Sequence, residues 1–247
     1  MVLKKKKVLL RVTIALLVLF TAAAVMAALM WYKIIKLNHP KGLKGADVSS
    51  YQGQTDWQVL SGKMDFVFVK ATEGSAATDE MFLHNFTGAM DSGLYTGAYH
   101  FFSFDSPGSS QAENFIAALD STGRTEGMLP PVIDVELYGE YRNDPKKAEE
   151  VIPELRDMID AIEARYGVRP IIYSTGKSYI RYREGFEGCL LWDRNVFFSP
   201  LNNDWTFWQY SDTECFDGYN GEEKYIDMNV FCGSREDLEA LTLHDVQ

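Results

Sequence analysis

The sequence predicts an α/β fold, an irregular eight-stranded barrel preceded by one apolar helix. Three observations carry this expectation. From Leu43 to about Ser174, short apolar runs alternate with helical patterns, as in β/α units around a parallel sheet. After Ser174, three strand-like runs follow one another with connections too short for crossover helices. The 247 residues suffice for one large core, and barrels of this length are commonly single domains.

Taken in order, residues 1–11 form a short basic N-terminus containing Lys4, Lys5, Lys6, Lys7 and Arg11. Residues 12–32 carry no charge and end on Trp31 and Tyr32, so at the helical rise they reach across a bilayer core. The flanking cations predict a single-pass anchor in the cell membrane, with the N-terminus cytoplasmic and the body extracytoplasmic. Ala22, Ala23 and Ala24 offer a rival reading, a cleaved signal peptide and a secreted protein. The apolar stretch exceeds a usual signal core, which favours the uncleaved anchor.

Residues 33–42 read as a linker with Pro40 and Gly42, and residues 43–247 as the extracytoplasmic domain. Strands are expected at Leu43–Val48, Asp65–Lys70, Thr96–Phe101, Val132–Glu136 and Pro170–Ser174, then at Leu190–Phe197, Trp205–Tyr210 and Tyr225–Phe231. The clearest helix lies between the fourth and fifth strands. Asp144 is its expected cap, Pro145 its first turn, and Val151, Ile152, Leu155, Ile159 and Ile162 recur at helical spacing up to Gly167. Pro153 predicts a kink or a split into two helices.

Composition excludes several functions. Nine of the 24 Lys and Arg precede Asp47, the first acid, which leaves 15 basic against all 35 acidic side chains and a formal charge of −20 over residues 46–247. Such a body does not suit a nucleic-acid backbone. Cys189, Cys215 and Cys232 show no C-x-x-C spacing, and His39, His84, His100 and His244 show no metal-ligand spacing, so neither a metal nor another cofactor is expected. One disulfide among the cysteines is compatible with the sequence, which does not select the pair. No oligomeric state is specified.

The most informative feature is Asp134 and Glu136 at the end of an apolar run. In an extended segment both carboxylates share a face while Ile133 and Val135 share the other. Like charges so close raise the pKa of one member, as general acid catalysis near neutrality requires. Other polar groups fall at expected strand ends: Asp47 with Gln52, Lys70 with Glu73, Tyr99 with His100, and Asp227. Joint burial of Asp47, Asp134, Glu136 and Asp227 would be unfavourable without a functional demand. Paired acids without metal ligands point to glycosidic bond hydrolysis.

Seven segments occur in order: Asp47-x-Ser49-x-x-Gln52-Gly53, Asp56-Trp57, Lys70-Ala-Thr-Glu73-Gly74, Gly97-Ala-Tyr99-His100-Phe101, Asp134-x-Glu136, Trp208-Gln209-Tyr210 and Asp227-x-Asn229. Over roughly Gly45 to Gly233 the chain resembles the glycoside hydrolase family 25 lysozymes, the Chalaropsis-type N-acetylmuramidases. The resemblance implies a TIM-like (β/α)5β3 barrel that cleaves the β-1,4 bond between N-acetylmuramic acid and N-acetylglucosamine in peptidoglycan glycan strands. It implies Glu136 as general acid, its pKa raised by Asp134. Asp134 acts either as a second carboxylate or as the group that orients the substrate's own 2-acetamido group. Asp47 and Asp227 are the family's other two site acids. Tyr99 and Trp208 are expected to line sugar subsites, with Gln52, Lys70 and Glu73 as further binding candidates. The stretch Asp193 to Pro200 departs from the commoner pattern, which bears on how the subsites are built.

Three alternatives stand beside this reading. A catalytically silent barrel would bind wall glycan, another β-N-acetylhexosaminidase would leave N-acetylglucosamine at the new reducing end, and a structural anchor would bind no glycan. A membrane tether restricts action to nearby wall and favours remodelling of the cell's own wall over attack on other cells.

Overall fold

The computed structural model of the chain describes residues 2–35, 38, 40–200 and 204–244. Lys36, Leu37 and His39 of the expected linker and the last three residues of the expected domain lie outside the described residues. The chain begins with α1 (Val2–Trp31), an apolar helix whose described side chains pack against little else. There follow β1 (Leu43–Val48), α2 (Trp57–Leu60), β2 (Phe66–Glu73), β3 (Ala77–Thr78), α3 (Phe82–Asp91) and β4 (Tyr95–Phe101). Then come α4 (Gly108–Ser121), β5 (Val132–Val135), α5 (Ala148–Tyr166), β6 (Ile171–Thr175), α6 (Gly176–Tyr182), β7 (Leu190–Arg194), β8 (Phe207–Glu214), β9 (Ile226–Phe231) and α7 (Arg235–Glu239).

Eight strands close a barrel in the order β1-β2-β4-β5-β6-β7-β8-β9, with β9 returning to β1 and β3 a short spur on β2. Neighbours are parallel from β1 through β8, whereas β9 is antiparallel to both β8 and β1. The connection from β7 to β8 thus joins parallel strands with no α-helix among its described residues.

Strand alternation divides the apolar residues between two layers. Phe66, Phe68, Val132, Ile171, Trp192, Phe207 and Phe231 fill the barrel, and Val67, Val69, Ile133, Val135, Ile172 and Val230 face the surrounding helices. The interior is an aromatic plug. Phe207 lies 5.2 Å from Phe66, 5.1 Å from Phe68 and 5.1 Å from Phe231 between ring centroids, and Phe68 lies 4.7 Å from Trp192. Such contacts add about 0.5–1.5 kcal/mol each beyond area burial. Two glycines make room for the rings: a Cβ on Gly45 would sit 2.4 Å from the Phe66 ring, and one on Gly97 2.5 Å from that of Phe68.

The helix after β5 differs from expectation. It starts at Ala148 behind Lys147, so Asp144 does not cap it, and residues Gly139–Arg142 form a separate 3-10 turn. Pro153 neither splits nor ends it. Proline removes one backbone hydrogen bond, while Val151, Ile152, Leu155, Met158, Ile159 and Ile162 bury a continuous stripe on both sides of it. The helix ends at Gly167, whose φ of 73° suits glycine.

The segment after α1 does not run free to the barrel. Lys33 pairs with Asp212 of β8, and the buried Asn38 amide donates to the carbonyls of Tyr210 at 2.6 Å and Val196 at 3.2 Å. Cys189, Cys215 and Cys232 are free thiols.

Candidate active site

Toward the C-terminal ends of the parallel strands, the inward side chains change from apolar rings to acids, amides and phenols. β1 contributes Asp47, β2 Lys70, β4 Tyr99 and Phe101, β5 Asp134 and, one residue beyond it, Glu136. β6 adds Tyr173, β7 Trp192 and β8 Gln209. These residues line one open cleft with Asp227. Asp227 reaches this rim because β9 runs backwards. Its first turn of side chains enters where the other strands leave, and Asp227 stands opposite Asp47 in the ladder.

A hydrogen-bonded network locks the cleft floor. The Gln209 amide donates to Asp47 Oδ2 at 2.9 Å and Asp227 Oδ2 at 3.1 Å, and its oxygen accepts from the Tyr173 hydroxyl at 3.1 Å. Asn229 donates to the same Asp47 oxygen at 2.8 Å and accepts from the Trp192 indole at 2.9 Å. Asp47 is therefore held by two amides, each fixed from behind by an aromatic donor. Lys70 pairs with Glu73 at 2.7 Å and lies 5.1 Å from the centre of the Phe101 ring.

Asp134 differs from the other acids. It is 8% exposed, and its Oδ1 is buried with no hydrogen-bond partner. Burial, then repulsion from Glu136 and Asp47, pushes its pKa well above the carboxylate range. Glu136 is also raised, mainly by burial, while Arg194 and Arg142 pull it back. The sequence expectation that Asp134 raises Glu136 is thus modified: solvent exclusion is the main cause, Asp47 adds to it, and the repulsion within the pair falls on Asp134. Of the two, the deeper Asp134 is raised further. Asp47 is raised by burial against the opposing hydrogen bonds of Asn229 and Gln209, and Asp227 is pushed up to about 8 by burial and by Asp47.

These shifts have a consequence for stability. In an unfolded chain Asp227 would titrate near 3.8, so the folded state holds its proton over the interval up to about 8. Stability from this group is present at pH 4 and declines as pH rises toward 8. Asp227→Asn is expected to raise the thermal midpoint by a few degrees at pH 8, about 1 kcal/mol, with no gain at pH 4. Thermal melts at the two pH values check this, and an equal gain at both would contradict it.

The structure brings Glu136, Asp134, Asp47, Asp227, Tyr99 and Lys70 together in the cleft. It places the other three candidates elsewhere. Trp208 is buried in the outer layer against Trp205, its indole donating to the Asn195 carbonyl at 2.9 Å. The reason is parity, since Phe207 and Gln209 point inward and the residue between them must point out. Gln52 fastens the loop after β1, accepting from the Ser49 amide and donating to the Tyr225 carbonyl, and borders an adjoining bay. Glu73 is half exposed and serves Lys70. Asp56 caps α2, and His100 is a neutral buried residue between Thr72 and Gln111, its pKa lowered to about 4 by burial.

Sequence reasoning passed over Gln209, Asn229, Tyr173, Trp192 and Arg194 as site residues. Strict alternation from each strand's apolar positions would have found all five, Arg194 having the parity of Trp192 in β7.

The sequence model described as glycosyl hydrolases family 25 matches residues 46–219. A family 25 glycosyl hydrolase from Bacillus anthracis superposes with a TM-score of 0.76 and 44% identity, covering 85% of this chain and 98% of that one. A bacterial lysozyme from Streptomyces coelicolor gives a TM-score of 0.71 and 30% identity, covering 82% and 97%. Lysozyme M1 of Streptomyces globisporus is 33% identical over 222 residues, 81% of this chain and 71% of that protein.

Proposed function

This chain belongs to glycosyl hydrolases family 25, and on that premise we propose that it hydrolyses peptidoglycan as an N-acetylmuramidase, with Glu136 as general acid and Asp134 assisting. The observation that carries the assignment of roles is the placement in one cleft of Glu136 and Asp134, a buried carboxyl with one oxygen that has no hydrogen-bond partner. A buried carboxyl so poor in hydrogen bonds is costly, and a substrate N–H donating to the Asp134 carboxyl would offset that cost.

In this reading Glu136, whose pKa burial raises, gives its proton to the glycosidic oxygen as the bond to C1 breaks. The carbonyl oxygen of the muramic acid's own 2-acetamido group bonds to C1 from the opposite face. Asp134 accepts the acetamido N–H and offsets the positive charge that develops on that group. Binding of this donor, together with the Lys70 cation, draws Asp134 toward its carboxylate form. Water then adds to C1, returns its proton to Glu136 and releases the acetamido group. Asp47 and Asp227 hold the electrostatic frame through Gln209. Tyr99 and Phe101 offer ring surface to the apolar faces of the sugars.

The finer architecture in this reading is (β/α)5β3, five strand–helix units and three final strands. Helix α1 is long and apolar enough to cross a membrane, and the basic residues before it favour a cytoplasmic N-terminus. The contacts of Lys33 and Asn38 fit a short tether that holds the barrel near the bilayer and limits it to adjacent wall.

Digestion of purified peptidoglycan by the full chain in detergent tests the activity. Mass spectrometry of the fragments is expected to find N-acetylmuramic acid at the new reducing ends. N-acetylglucosamine there would replace this reading with that of another hexosaminidase.

A further inference from the structure

Three successive strand ends each place one cation on the same flank of the cleft. Arg142 lies in the 3-10 turn after β5, Lys177 at the start of α6 after β6, and Arg194 at the end of β7. Together they border a bay of about 450 Å³ whose inner wall includes Glu136 and Asp227. That volume is in the range of small-molecule sites and exceeds what a lone inorganic ion needs.

The placement runs against the charge of the domain, which is −20 over residues 46–247. Arg142 and Lys177 are exposed and have no carboxylate partner among the described residues. Arg194 shares Asp212 with Lys33, at 3.0 Å from its own guanidinium, so one carboxylate faces two cations there. The bay therefore presents surplus positive charge directly beside the proposed acid. Neutral sugars are recognised by ring faces and hydrogen bonds and have no need of three cations.

We propose that this bay is a subsite for an anionic substituent of the glycan, carried by a sugar next to the bond that is cut. The proposal rests on the muramidase reading. Each muramic acid bears at O3 a lactyl group from which the stem peptide extends, and that peptide carries carboxylates. Wall polymers joined to the glycan through phosphodiesters are the other source of the same chemistry. Guanidinium groups bind either anion through paired N–H donors, with Lys177 adding a point charge. Docking the substituent here would set the sugar's position along the cleft relative to Glu136.

A rival role for the same cations is tuning of Glu136, since Arg194 and Arg142 lower its pKa. The two roles differ in what they do to different substrates. The full chain and the variant Arg142→Gln/Lys177→Glu, both in detergent, are assayed on peptide-bearing glycan strands in three forms: untreated, carbodiimide-amidated to neutralise carboxylates, and hydrofluoric acid-treated to remove phosphodiesters. On untreated strands the variant is expected to need about tenfold more substrate for half-maximal rate. The penalty should fall below about twofold on amidated strands if a carboxylate is the ligand, or on acid-treated strands if a phosphodiester is. An equal penalty on all three forms, or none on any, overturns the subsite. The single variant Lys177→Glu, at an exposed helical position, repeats the comparison should the double variant fold poorly. Failure of the unsubstituted chain to cleave untreated strands would instead remove the muramidase reading, and the subsite with it.

Discussion

Glu136→Gln is expected to lower glycan cleavage by about a thousandfold, within the range for loss of a general acid, while the chain stays folded. Glutamine keeps the size and hydrogen-bonding reach of the side chain but has no proton to give the departing oxygen. The carboxyl it replaces is raised chiefly by burial, so the variant should also lose the alkaline limb of the pH–rate profile that this group's ionisation sets. Reducing-end release across pH, paired with thermal melts, makes the measurement. A rate within tenfold of the unsubstituted chain would remove Glu136 from the role, whereas no release by either form, with both folded, would turn attention to a glycan-binding barrel.

The second large effect is expected from Asp134→Asn, in two opposite directions. Activity should fall by about a hundredfold or more, because an amide still accepts the acetamido N–H but does not neutralise the charge that grows as the acetamido oxygen closes on C1. Stability should rise. Asp134 is raised well above its unfolded value by burial and by Glu136, so the folded state keeps a proton that the unfolded chain releases, and this group's contribution declines as pH increases from the acid range. Removing it should raise the melting temperature at pH 7 and leave it unchanged near pH 3. A purely structural Asp134 would show the gain in melting temperature with full activity, and that pairing would exclude the assisting role.

Much of the fold was legible because strands and amphipathic helices write their periods into the chain. Val132, Ile133, Asp134 and Val135 alternate so regularly that the shared face of Asp134 and Glu136 follows from the backbone alone, and the cleft contains both. Trp208 shows where composition misleads. A tryptophan beside a site motif attracts a sugar-binding role, yet the inward parity of β8 belongs to Gln209, which ties Tyr173 to Asp47 and Asp227. Pro153 shows a local rule outweighed by burial of the helix stripe around it.

By itself the sequence determined an apolar N-terminal segment, an acidic body, the eight strands of the barrel in chain order though not the short β3, and the carboxylates at their ends. These depend on side-chain type and on periods of two and 3.6, which are local properties. Only the tertiary structure decided that β9 runs antiparallel and so brings Asp227 opposite Asp47, that Asp134 keeps a bare oxygen, and that Arg142, Lys177 and Arg194 converge beside Glu136. Convergence of residues as far apart as Asp47 and Asn229, separated by 182 positions, depends on barrel closure and on which groups that closure strips of water.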